Sequence, residues 1–437
     1  MTLQLQRIIF LLFFASAIPG GCSVTEEKIA LWKSTRNGPQ KLADVLSDTS
    51  AELNLRASAT LALIEIKQHS LLNDTYRQLS KNDADTVIQA TVPALSKQIN
   101  AKTGAADALT SVQIAAINGA YLLYAFAGDK SKTSLENELI DWCTHGNFRA
   151  RERAGFNIRV IMKKVGAPAY LALSKRLDID EPSIEKIAAI IKDAEDQSII
   201  GHASKQIAQS LGQHIGGITM AHLRAAGILG GQPVADFLIA LVVNPNLSAQ
   251  LRDYGLLVFF TAMEQQRIIA SVSHATQLVA IAEDTTQAQA FREQVYLTLA
   301  QMTFPVATAS FSLLLSSRDF FWRMLGARCL LRQNGKQHLP TVLQTRKIVT
   351  DTTETGELIS LVAKFPSLKD TLISTLSGTH SFSVGIAISV LGIVGNRNDI
   401  PQLEKLRENR GRLPSVFSAS TIGAAASAAI SAIEKKG

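Results

Sequence analysis

At 437 residues the chain is too long for one compact core, unless it grows by repetition along one dimension. Hydrophobic residues make up 46% but aromatics only 6%, so the interior must be built from Ala, Leu, Ile and Val. That composition suits closely packed helices better than a β-sandwich, where β-branched and aromatic residues are enriched. The net charge of +7 is mild for this length and decides little about partners.

In chain order, the first informative stretch is the N-terminus. Arg7 precedes the apolar run 8–15, and Ser16, Ala17, Ile18, Pro19, Gly20, Gly21 and Cys22 follow. A basic start, a short apolar run and small residues beyond it make a secretory signal over 1–21. The run falls short of the roughly 20 residues that a spanning helix needs. Two cleavage sites are open. Ala15-Ser16-Ala17 fits the ordinary A-x-A rule and would release a soluble periplasmic or secreted protein beginning at Ile18. Gly20-Gly21-Cys22 resembles the lipobox of bacterial lipoproteins, with Pro19 standing where that family has Leu. The resemblance implies lipidation of Cys22 and stable anchoring by several acyl chains. Ser23 follows the cysteine, where an Asp would resemble an inner-membrane retention signal, so the expected location is the outer membrane on its periplasmic side.

The mature chain reads as helical from the outset. Thr25, Glu26 and Glu27 cap and open a first segment that runs to Gly38. Gly38-Pro39 starts a helix, Asp48-Thr49-Ser50 turns, and 53–66 supplies a second helix with Arg56 beside the turn. Residues 83–99 are apolar in helical period, with Pro93 either kinking that helix or opening the next. Residues 104–127 are Ala-rich. In 148–173, Ala154, Ile158, Ile161 and Val165 form a stripe, Gly166 stops it and Pro168 restarts. The same stop and restart recur as Gly230-Gly231 with Pro233, Gly335 with Pro340, and Gly395 with Pro401. Weaker copies cover 251–262 and 291–300, and 416–433 reads as the last helix.

The stretch 381–406, SFSVGIAISVLGIVGNRNDIPQLEKL, puts Ala387, Leu391, Ile393 and Val394 on one stripe, with Leu403 and Leu406 facing back after Gly395. It resembles a HEAT repeat of the short phycobilisome-lyase type. Ala57, Ala154, Ala225, Ala327 and Ala387 occupy similar places, at separations of 97, 71, 102 and 60. These fall near multiples of a period of about 33 residues. The expected fold is therefore all-α: an α-solenoid of HEAT-like antiparallel helix pairs, about ten to twelve of them, over 22–437 as a single elongated domain. Cys143 and Cys329, some five repeats apart, are expected to be buried and unpaired.

Catalytic motifs are missing from the sequence: no His-Glu-x-x-His, no Gly-Lys-Ser/Thr phosphate loop and no Gly-x-Ser-x-Gly. His202, His214 and His222 stand 12 and 8 apart without a carboxylate pattern, a poor zinc set. No metal or cofactor is implied. The most distinctive polar feature is the segment 149–164. Arg149, Arg153, Arg159, Lys163 and Lys164 share one side of a helix, and Phe156 and Val160 lie among them. Such a face can dock an acidic partner or anionic headgroups, and it also fits an ordinary solvated helix face. The resemblance to bacterial HEAT-repeat lipoproteins implies a scaffold or adaptor, not an enzyme. It would be membrane-anchored, facing the periplasm and bound to another protein whose identity the sequence does not give. Nucleic acid is not expected in that compartment. The alternative is a periplasmic enzyme or enzyme subunit with its site in a groove between repeats.

Overall fold

A computed structural model describes residues 24–101, 110–144, 158–344 and 351–436. Cys22, Arg149, Arg153, Ala154 and Phe156 lie outside the described residues. The fold is all-α, an α-solenoid of helix pairs packed in sequence order. Contacts gather into two compact units, Met1–Ser210 and Leu211–Gly437.

In the first unit the helices are α1 (Glu26–Trp32), α2 (Gly38–Ser47), α3 (Leu53–Glu65), α4 (His69–Gln78), α5 (Lys81–Ile99) and α6 (Ser111–Leu123). Then come α7 (Lys132–Thr144), α8 (Ile158–Val165), α9 (Ala167–Ser174), α10 (Ile184–Lys192) and α11 (Gln197–Gln213), whose end crosses the unit boundary. Two layers run through the unit. Helices α1, α3, α5 and α7 pack in succession, and α2, α4 and α6 pack in succession beside them. Pro93 lies inside the continuous α5 and opens no new helix, which settles the alternative left by the sequence.

The second unit repeats the plan. It contains α12 (Met220–Leu229), α13 (Gln232–Val243), α14 (Ala249–Glu264), α15 (Val272–Glu283), α16 (Gln289–Leu299) and α17 (Pro305–Leu314). It continues with α18 (Phe320–Gln344), α19 (Thr352–Ala363), α20 (Lys369–Thr375), α21 (Ser381–Val394), α22 (Ile400–Glu404) and α23 (Ile422–Glu434). The pairs α13/α14, α15/α16 and α17/α18 form hairpins; α13, α15 and α17 stack as one layer, and α12, α14, α16 and α18 as the other. Helix α18 is two segments joined at Asn334, whose φ of −157° and ψ of 81° are not helical, so the break falls one residue before the expected Gly335.

A recurrent local device fixes these hairpins. In the pairs α2/α3, α13/α14 and α15/α16 the first helix ends in an Asx turn: the Asp48 carboxylate accepts from Ser50 N at 2.9 Å, Asn244 from Asn246 N at 3.0 Å, and Asp284 from Thr286 N at 2.9 Å. Each second helix carries an arginine at its fourth residue, and that guanidinium reaches back to a carbonyl at the end of the first helix. Arg56 Nε donates to Leu46 O at 2.9 Å, Arg252 Nε to Val242 O at 2.8 Å, and Arg292 Nε to Ala282 O at 2.7 Å. These carbonyls are among the last four of their helices, which have no intrahelical donor. The other guanidinium nitrogens reach the next pair: Arg56 to Asp83 at 2.7 Å, Arg252 to Gln287 at 3.0 Å, Arg323 to Glu354 at 3.1 Å. Arg252 also stacks 4.7 Å over Phe291, and Arg292 stacks 4.4 Å over Trp322, contacts that add cation–π attraction across the repeat boundary.

The glycine–proline punctuation lies elsewhere. Gly230 and Gly231 have φ of 68° and 81°, which glycine adopts without steric cost, and they join α12 to α13. The stretch 381–406 proves to be cut across a repeat boundary: α21 packs on α20 and α23, and α22 packs on α23, rather than on each other. Gly392 allows this, since a Cβ there would sit 3.2 Å from Ala429 Cα. The last helix starts at Ile422, not Val416, because Thr421 caps it through Ala424 N and Arg412 pairs with Thr421 ahead of it. Cys143 and Cys329 are both buried and neither is in a disulfide, as expected from sequence. Burial pushes the Cys329 thiol up to about 12.

Candidate functional site

Two of the basic residues singled out in sequence play different parts. In α8, Ile158, Ile161 and Met162 are buried while Arg159, Val160, Lys163 and Lys164 are exposed. Arg159 forms a 2.9 Å ion pair with Asp193 of the α10 C-cap, both about half exposed, so its charge is matched within the unit. Lys164 lines a separate concavity with residues of α4 and α6.

Among the histidines weighed as metal ligands, His222 is buried and its Nδ1 accepts from Thr219 N at 2.9 Å, capping α12. His274 does the same for α15, accepting from Ser271 N at 3.2 Å. Its Nε2 must therefore carry the proton that reaches Asp236 at 2.7 Å. His202 and His214 are exposed. Among the described residues no group of three or more His, Cys, Asp or Glu could hold a metal ion. Among the same residues no helix is long and apolar enough to cross a membrane.

A concavity of about 710 Å³ opens where α16, α18 and α19 meet in the second unit. Its making starts with the helical period of α18. Arg323, Ala327 and Leu330 turn inward and are buried, while Phe321, Met324, Arg328 and Arg332 follow one another at three- and four-residue steps on the open side. Phe320, Leu325, Leu361 and Phe365 complete an apolar floor. The phenylalanines are held in place: Phe321 lies edge-on to Trp322 at 5.1 Å, and the Arg323 guanidinium sits 5.5 Å over Phe320. Around the floor stand Arg328, Arg332 and Lys364 against Glu293 and Glu357. Among the described residues none of these five charged side chains forms a salt bridge, so all are available to a visitor.

The groove presents apolar and thioether surface under a rim with one excess positive charge. Sequence reasoning missed this groove. The signal was there in the i, i+3, i+7, i+11 pattern Phe321, Met324, Arg328 and Arg332, but the wall from α19 lies some thirty residues on. No protein-family model matches the chain, and a search of curated proteins returns no significant relative.

Proposed function

We propose that this protein is a lipid-anchored, periplasm-facing adaptor of the outer membrane that holds another protein on its α-solenoid. The observation that carries the reading is the groove on α16, α18 and α19: three aromatic rings and a methionine under unpaired cations. Rigid aromatics and adaptable Met are the side chains that receive an amphipathic helix, whose apolar anchors enter the floor. The excess of Arg328, Arg332 and Lys364 over Glu293 and Glu357 selects a segment with carboxylates beside those anchors. Anchoring rests on Gly20-Gly21-Cys22 and its likeness to a lipobox.

A photo-crosslinking residue at Met324 should trap one partner in stoichiometric amount from detergent extracts, through an acidic amphipathic segment. The double reversal Arg328→Glu/Arg332→Glu should lower its recovery at least tenfold with an unchanged circular dichroism spectrum. A protein that purifies alone after crosslinking, or a reversed variant that recovers the partner equally well, refutes the adaptor reading. Mass spectrometry of the mature N-terminus checks the anchor: an acylated Cys22 is expected, and a free Ile18 overturns it.

A further inference from the structure

In the first unit, α4, α6 and α8 enclose a second concavity of about 480 Å³ with a different chemistry. His69 and Asn73 stand four residues apart on α4, and Asn118 and Tyr121 three apart on α6, so each pair shares a helix face. Lys164, in the last turn of α8, completes the polar lining. Among the described residues, none of these five side chains makes a hydrogen bond or ion pair within the protein. Five unspent polar groups from three helices converge on one space, while Leu122 and Ala125 supply a small apolar wall.

The inventory narrows the ligand. Two amides and a phenol both donate and accept, which is what a ring of vicinal hydroxyls requires. The His69 imidazole has its basicity lowered by burial and then by nearby Lys67, so it stays neutral and adds one donor and one acceptor. Among the described residues, Lys164 is the sole cation in the lining and no carboxylate accompanies it. One negative group is therefore welcome and an ammonium group is not, which excludes amino acids and cationic peptides. A polyphosphate would demand more cations or a phosphate-cradling loop. The volume lies within the usual range for small-ligand sites, about 300–1,000 Å³.

We propose that this concavity binds an acidic sugar, a polyhydroxylated ring bearing one carboxylate, with Lys164 meeting the carboxylate and His69, Asn73, Asn118 and Tyr121 meeting the hydroxyls. The site is independent of the adaptor groove. Titration calorimetry of the full-length protein with D-glucuronate and D-galacturonate should show saturable binding, with glucose and galactose bound at least tenfold more weakly. Lys164→Gln should remove that preference, and Asn118→Ala should weaken uronate binding several-fold. Both variants should melt at the wild-type temperature, because Lys164 is exposed and Asn118 half-buried. Absence of heat with either uronate, equal binding of neutral hexoses, or an unchanged uronate preference in Lys164→Gln would overturn the proposal.

Discussion

Asp83→Ala should loosen the first unit by about 3–5 kcal/mol, and the double variant Arg56→Leu/Asp83→Ala should lose distinctly less. The reason lies in how Arg56 is placed. The residue is only 4% exposed, with Nε spent on Leu46 O and the two terminal nitrogens each 2.7 Å from an Asp83 oxygen. Fork-to-fork pairing of this kind holds Asp83 below the ordinary carboxylate range, the hydrogen bond from Arg56 being the largest cause. Removing the carboxylate leaves the buried guanidinium without its ion-pair partner, and much of its desolvation penalty then stands uncompensated. Leucine in place of Arg56 removes that charge and keeps apolar volume over the α2–α3 turn. In a solenoid such a loss is local, so the readout is native-state hydrogen exchange. Amides of α3 and of the first turn of α5 should exchange at least a hundredfold faster in Asp83→Ala, with part of the protection restored in the double variant. A single variant no weaker than the double would refute the stranded-charge argument.

How the sequence prefigures this fold depends on which residues are asked. Apolar periodicity and glycine–proline punctuation place most helices, and Ala57, Ala225, Ala327 and Ala387 are all buried in α3, α12, α18 and α21. In the second unit α12 and α18 lie in the layer of arginine-bearing helices, and α21 packs on α18. The phase is another matter. Gly-Pro breaks catch the eye because they change backbone conformation, yet they join one pair to the next. The turn inside a pair is marked by a polar residue eight positions before an arginine: Asp48 and Arg56, Asn244 and Arg252, Asp284 and Arg292. That spacing is visible in the sequence. Its meaning is not, because an arginine is ordinarily a solvated residue and only the carbonyl it caps makes burial tolerable. Grooves are less legible still. The lining of both concavities comes from three helices each, and no local pattern says that Asn73, Asn118 and Lys164 share a space.

Asp85 gives the second large effect, and it lies two residues from the first. Two positions on a helix differ by about 200°, so Asp83 and Asp85 leave α5 on opposite sides. While Asp83 meets α3, the Asp85 carboxylate meets the turn between α6 and α7. It accepts from Gly128 N at 3.0 Å, Lys130 N at 3.3 Å, and Ser131 N at 3.1 Å, and from the Ser131 hydroxyl. A Cβ on Gly128 would come within 2.8 Å of that carboxylate, so glycine is what admits so close an approach. Burial acts to raise the Asp85 pKa, and the four donated hydrogen bonds outweigh it, leaving the group below its ordinary value. The folded form therefore resists protonation more than the unfolded chain does. Its contribution is whole above the unfolded pKa of about 3.9 and is lost as pH falls through the lower folded value. Asp85→Asn should cost about 2–4 kcal/mol at pH 7, because an amide turns a donor towards donors. Exchange of the Gly128 and Ser131 amides should accelerate by one to two orders of magnitude. On acidification towards pH 3 the gap between wild type and variant should narrow, since the protonated carboxyl also carries a donor. A gap that stays constant from pH 7 to pH 3 would mean that the charge of Asp85 is not what holds the turn.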